Sequence, residues 1–142
     1  MTRNELFDYA KQKGHQVIFT KLQESGALSV ELDGTCYIAL DPADAGAAEL
    51  EHLAHELGHC EYAGFYSILT PLNTRGRIEY RARKWQYRKL VPLGELRQAI
   101  RGGLTPPWAL AAHFRVSEEP LSPARQYYTD APRPTLPPEA PS

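Results

Sequence analysis

The residues of this chain with the most direct chemical meaning are His55-Glu56-Leu57-Gly58-His59. On a helix, two histidines four residues apart project from one face, one turn above the other, so both imidazoles reach a single Zn²⁺ at about 2.0 to 2.1 Å. Glu56 stands one step round. In zinc peptidases a carboxylate at that position takes a proton from the water at the metal without ligating the metal, and passes it to the leaving amine. Zinc supplies the other half by lowering the pKa of that water to around 7 and polarising the scissile carbonyl. Leu57 predicts an inward apolar contact, and Gly58 predicts the close approach of a substrate or a sheet edge. His, Glu and His at three fixed positions arise by accident in on the order of one chain in a few hundred of this length. The surrounding elements therefore decide between a metal-bearing helix and an amphipathic helix with solvated histidines.

Those elements favour the metal. Asp41-Pro42-Ala43-Asp44 has an N-cap acceptor, a proline at the first helical position and a carboxylate in the first turn, which predicts a helix start. Leu50, Leu53, Ala54 and Leu57 recur at three- and four-residue steps and carry the helix to about Tyr62, before Gly64 ends it. Upstream, Leu6, Phe7 and Ala10 predict a short helix over residues 3–12, and Val17-Ile18-Phe19 predicts a strand. Two alternating runs, Leu28/Val30/Leu32 and Cys36/Ile38/Leu40, flank Asp33-Gly34, the dipeptide of a type I′ hairpin turn. A small antiparallel sheet follows from these. Downstream, a second long helix is predicted from Gly76 to Leu90 with Ile78, Ala82, Trp85 and Leu90 inward, after a connection holding Thr70-Pro71 and Asn73. A third helix over Leu93 to Ile100 stops at Gly102-Gly103, and Pro106-Pro107 opens another with Trp108, Leu110, Ala111 and Phe114.

A catalytic zinc needs a third protein ligand and an open fourth position. A third histidine six residues after the second is absent, since Phe65 stands there and Tyr62 replaces the glycine of that extended pattern. A carboxylate from the next helix is the alternative. Glu79 is the only acid between Glu61 and Glu95, but a salt-bridged surface role fits it too, because it stands among Arg75, Arg77, Arg81 and Arg83. Glu61 is the rival, although six residues from His55 it is rotated well off the ligand face.

Leu53-Ala54-His55-Glu56-Leu57-Gly58-His59, then Glu79-Tyr80-Arg81-Ala82-x-x-Trp85, Leu90-Val91-Pro92 and Glu95-Leu96 resemble the ImmA/IrrE metallo-endopeptidases over roughly residues 1 to 128. In that family the helix-borne His-Glu-x-x-His is joined by a Glu in a Glu-x-x-Ala context on the next helix. The resemblance thus implies a gluzincin-like zinc metallopeptidase, with His55, His59 and Glu79 as ligands and Glu56 as base. It implies an α+β, zincin-like fold in which a small antiparallel sheet packs on the metal-binding helix and the C-terminal part is helical. It also implies a helix-turn-helix-like stretch around Trp108 to Ser117. Members are typically bacterial or carried by phages and mobile elements, and several cleave or inactivate a helix-turn-helix repressor encoded nearby. The implied substrate is therefore a DNA-binding repressor. Three regions are expected: a metallopeptidase core over residues 1–103, a helical extension over 104–129, and a proline-rich disordered tail over 130–142.

Length and composition agree with one core, since 142 residues with 42% hydrophobic content are too few for two comfortable domains. The net charge of −1 argues against a nucleic-acid or membrane coat. Beneath that average, residues 75–101 hold 9 Lys/Arg against 2 Asp/Glu, a basic stripe that reads first as a solvated helix face. It also motivates a second reading, a regulatory module that binds nucleic acid or a repressor around a structural or vestigial metal site. A third reading is a partner that sequesters a repressor without cutting it. The polar Met1-Thr2-Arg3-Asn4-Glu5 start predicts no signal peptide or membrane anchor, so a cytoplasmic protein is expected. Cys36 and Cys60 fall in different predicted elements without Cys-x-x-Cys spacing and are expected as reduced, buried thiols, with a redox or ligand role for Cys60 left open by its place beside His59. His15 and His52 are expected as ordinary polar histidines, His113 as a partly buried structural one, and Trp85, Trp108, Tyr127 and Tyr128 as packing aromatics.

Overall fold

A computed structural model describes residues 1–22, 26–44, 46–67, 69–118 and 121. The expected proline-rich tail, the end of the helical extension, and Tyr127 and Tyr128 lie outside the described residues. Helix α1 (Arg3–Gln12) begins at a capping box: the Thr2 hydroxyl accepts from Glu5 N while the Glu5 carboxylate accepts from Thr2 N. Its Leu6 and Ala10 are fully buried.

Strands β1 (Gln16–Phe19), β2 (Ala27–Leu32) and β3 (Thr35–Leu40) form one sheet in the order β1-β3-β2. Asp33 and Gly34 both have positive φ, 52° and 80°, as a type I′ turn requires, and Leu32 pairs with Thr35 across it. The sheet is mixed rather than wholly antiparallel, because β1 pairs with β3 in parallel from Gln16 opposite Tyr37 to Phe19 opposite Leu40. β1 and β3 are not consecutive, so no tight turn dictates their relative direction. The hairpin register puts the apolar runs on opposite faces: Cys36, Ile38 and Leu40 enter the core, whereas Leu28, Val30 and Leu32 point outward and are exposed.

Helix α2 (Gly46–Gly58) starts later than Asp41-Pro42 suggests. Asp41 is used locally instead, its carboxylate accepting from Ala43 N at 2.9 Å and Leu22 N at 3.0 Å, which ties the end of β3 to the segment after β1. These two bonds hold the Asp41 carboxyl below its ordinary value. Leu50, Leu53, Ala54 and Leu57 of α2 pack on Ile38 and Leu40 in the main core, as the periodicity requires. A five-residue π-helical turn, His59–Ala63, continues α2 until Gly64, at φ 78°, ends it.

Helices α3 (Leu72–Leu90), α4 (Leu93–Arg101) and α5 (Pro107–Phe114) complete the α+β fold. Pro71 caps α3 and Pro107 is the first residue of α5. Ala82 and Leu90 are buried as expected, together with Gln86 and Tyr87, while Trp85 packs at the margin beside Tyr9. Leu110, Ala111 and Phe114 of α5 join the same core as α1 and α2. Trp108 departs from expectation: it is 70% exposed, because the face of α5 that meets the core is the one carrying Leu110, Ala111 and Phe114.

Two close approaches shape the middle of the molecule. Cys36 and Cys60 are joined in a disulfide with Cα atoms 5.9 Å apart, which corrects the expectation of reduced thiols. β3 runs under the end of α2, and this crossing brings residues 24 apart in sequence within bonding range. A Cβ on Gly58 would lie 2.7 Å from the carbonyl oxygen and 3.1 Å from the Cα of Ala82, both backbone atoms. What approaches Gly58 is therefore the backbone of α3, not a substrate or a sheet edge. Gly58→Ala is expected to force α2 and α3 apart and destabilise the protein by about 1 to 3 kcal/mol, measured as a fall in the denaturant midpoint.

Candidate active site

The Gly58–Ala82 contact positions the chemistry. Glu79 precedes Ala82 by three residues, so where Ala82 touches Gly58 the Glu79 side chain lies one turn along the same face of α3. From there its carboxylate meets both motif histidines of α2: Oε2 lies 3.1 Å from His55 Nε2, and Oε1 lies 2.8 Å from His59 Nε2. One nitrogen from each ring and one Glu79 oxygen all fall within 4.8 Å of one another.

The other ring nitrogens are tied down. His59 Nδ1 lies 2.7 Å from the carbonyl of Gly64, and His55 Nδ1 lies 3.0 Å from Gln86 Oε1. A carbonyl only accepts, so His59 Nδ1 carries the hydrogen and, in the neutral ring, Nε2 carries the lone pair. That lone pair faces a carboxylate. Two electron-rich groups held face to face call for a cation between them, either a proton or a metal ion. The separations also suit a metal, since two ligands about 2.0 to 2.1 Å from a tetrahedral zinc stand about 3.3 Å apart. Two imidazoles and a carboxylate, each imidazole anchored through its far nitrogen, are a donor set that fits zinc.

Glu56 lies beside this group, only 8% exposed, and accepts a hydrogen bond from the Ser29 hydroxyl of β2 at 3.1 Å. Burial pushes the Glu56 carboxyl above its ordinary value, against the imidazoles of His59 and His55 and the Ser29 bond, while the charge of Glu79 pushes it further up. Glu79 goes the other way. Burial would raise it, but the His55 and His59 imidazoles and hydrogen bonds from His55 and Tyr66 outweigh burial and hold its carboxyl below the ordinary value. Tyr66, in the connection before α3, has its phenol raised by burial and by Glu79.

A cleft of about 190 Å³ opens onto the group. One wall is Ala27, Leu28 and Ser29 of β2, and the other carries Phe65 and Tyr66, with Glu56, His59 and Glu79 between them. Phe65 stacks on the His59 ring at 5.9 Å. β2 is an edge strand, so its outer backbone groups have no strand partner among the described residues.

Four contributors escape the motif: Ser29, Gly64, Tyr66 and Gln86. Gln86 is seven residues after Glu79 and shares its helix face, which is a usable signal. Ser29 alternates between Leu28 and Val30 and so faces the side they do not. No periodicity marks Gly64 or Tyr66, which belong to irregular chain. Glu61, the rival third ligand, turns instead to His15, with Oε1 2.9 Å from Nε2. His52 pairs with Asp44. His113 is exposed on α5 and does not line the cleft, so it is not the partly buried histidine expected. Part of the basic stripe lies over aromatic rings, Lys89 over Tyr9 at 3.7 Å and Arg75 over Tyr66 at 5.9 Å.

Among the described residues no helix is long and apolar enough to cross a membrane. The sequence matches the peptidase family described as the IrrE N-terminal-like domain over residues 10–122. No curated protein and no solved structure matches the chain.

Proposed function

This chain belongs to the IrrE N-terminal-like family of metallopeptidases, a zincin-like fold, and on that premise we propose that it is a zinc-dependent endopeptidase in which His55, His59 and Glu79 hold the metal and Glu56 is the general base. One observation carries the assignment: both Nε2 atoms are turned on the Glu79 carboxylate while both Nδ1 atoms are engaged elsewhere. When bound, zinc supplies Lewis acidity, making water acidic enough to ionise near neutral pH and polarising a carbonyl.

The chain's own groups do the rest. An extended peptide adds to the free edge of β2, where main-chain hydrogen bonds hold it across the cleft. Glu56 takes a proton from the attacking water as the new C–O bond forms, and delivers it to the amide nitrogen as the C–N bond breaks. Its burial raises its affinity for that proton, and Ser29 holds the carboxylate in place. Tyr66, hydrogen-bonded to Glu79 and lining the same cleft, is the donor we assign to the carbonyl oxygen as negative charge develops there. Gln86 and the Gly64 carbonyl orient the two imidazoles. The substrate we propose is the one the family resemblance implies, a helix-turn-helix repressor encoded nearby.

Elemental analysis after dialysis against a mild chelator is expected to find about one zinc per chain in the wild type and to find it lost from both His59→Ala and Glu79→Ala. Equal metal in all three proteins would remove this site from consideration. Gln86→Leu keeps all three ligands and is expected to weaken zinc binding about 10- to 100-fold, read by competition with a chromogenic chelator. Glu56→Gln is expected to retain zinc and to lower the rate of repressor cleavage by about 10² to 10⁴, followed by mass spectrometry of the products. Unchanged repressor inactivation by Glu56→Gln would favour sequestration over proteolysis.

A further inference from the structure

We propose that Cys36, Cys60 and His15 form a second metal site, for a thiophilic divalent cation such as Zn²⁺, which is closed while the two sulfurs share a disulfide and opens when they are reduced. Both sulfurs and one ring nitrogen of His15 lie within 4.8 Å of one another. They come from three separate parts of the fold: the turn before β1, strand β3 and the π-helical turn after His59. The place is sheltered, with Cys36 5% exposed and the His15 side chain 12% exposed. Two thiolates and an imidazole are three of the four donors of a structural zinc site. Glu61, whose Oε1 lies 2.9 Å from His15 Nε2, stands outside the group of three and would orient the imidazole, leaving the fourth position to water. A disulfide has no use for an imidazole and a carboxylate beside it. A metal does.

Opening needs an external thiol as reductant. Its thiolate attacks Sγ of Cys60, the more accessible of the two cysteines, giving a mixed disulfide and releasing Cys36 as thiolate. A second external thiol resolves the mixed disulfide, so two external thiols become one disulfide and the chain gains two thiols. Cation binding then displaces both thiol protons to solvent. Either state fastens the residue after His59 to β3. The inference does not rest on the ligand set proposed above, which contains no sulfur.

Cobalt(II) tests it, because thiolate-to-cobalt charge transfer in the near ultraviolet cannot arise from a His/His/Glu site. The full chain is titrated anaerobically before and after reduction with a phosphine that is then removed. The reduced protein is expected to bind about two cobalt ions with a strong charge-transfer band, and the oxidised protein about one without it. Cys36→Ser is expected to abolish the band. His15→Ala, which leaves both thiols titratable, is expected to weaken the sulfur-bound ion at least about tenfold. Reduced wild type saturated with cobalt and lacking the band would overturn the site, whatever the variants do. A band that His15→Ala leaves unchanged in affinity would overturn the role of His15. His59→Ala is expected to lose the other ion and keep the band, which separates failure here from failure of the peptidase assignment.

Discussion

Helices α2 and α3 meet backbone to backbone at Gly58 and Ala82, and the distance between them there leaves no room for even one more methyl group. The functional geometry hangs on that contact. A carboxylate reaches only a few ångströms from its helix, so two imidazoles and a glutamate from neighbouring helices converge only if the helices nearly touch. The Glu-x-x-Ala spacing has its physical meaning here. The backbone of α3 at Ala82 makes the contact, and the glutamate one turn earlier is brought to the histidines as a result. The disulfide from β3 to Cys60 anchors the same region from below, so the end of α2 is held against both the sheet and the neighbouring helix.

Within that frame, two carboxylates a short distance apart are driven in opposite directions. Glu79 faces two imidazoles and is shifted toward its charged form, which suits the ligand role proposed for it. Glu56 has lost most of its contact with water and is shifted toward holding a proton, which suits the general-base role proposed for it. Environment rather than residue type separates the roles, and such divergence between neighbouring acids is the usual mark of a site built for proton transfer. The single hydrogen bond from Ser29 also couples Glu56 to the edge strand along which a substrate would lie.

Much of this was readable in the sequence, for identifiable reasons. The hairpin follows from Asp33-Gly34, α5 from its opening prolines, and the buried face of α2 from a strict three-four spacing, all of which are local signals. Local signals also misled: Asp41-Pro42 reads as a helix cap, but its carboxylate is taken by Ala43 two residues on and by Leu22, 19 residues back in the segment after β1. The parallel pairing of β1, the exposure of Trp108 and the meeting of Cys36 with Cys60 depend on which elements cross in space, and no periodicity encodes that. At the site, the two histidines and Glu56 stand out because one helix carries them. Glu79 emerged from spacing only as one of two candidates, Gly64 stood out as a helix stop but not as the partner of His59, and Tyr66 was invisible because it sits in irregular chain.

Gly64 is bonded twice to one residue: its N–H donates to the His59 carbonyl at 3.0 Å, and its own carbonyl receives His59 Nδ1 at 2.7 Å. Together the bonds close two rings over the same short stretch, so the number of residues from His59 to Gly64 cannot change without opening both. In the divergence of such chains, this stretch should therefore resist insertion and deletion more than its irregular appearance suggests. Phe65 and Tyr66, which follow directly and line the cleft, are thereby placed from a fixed point rather than from a loose loop.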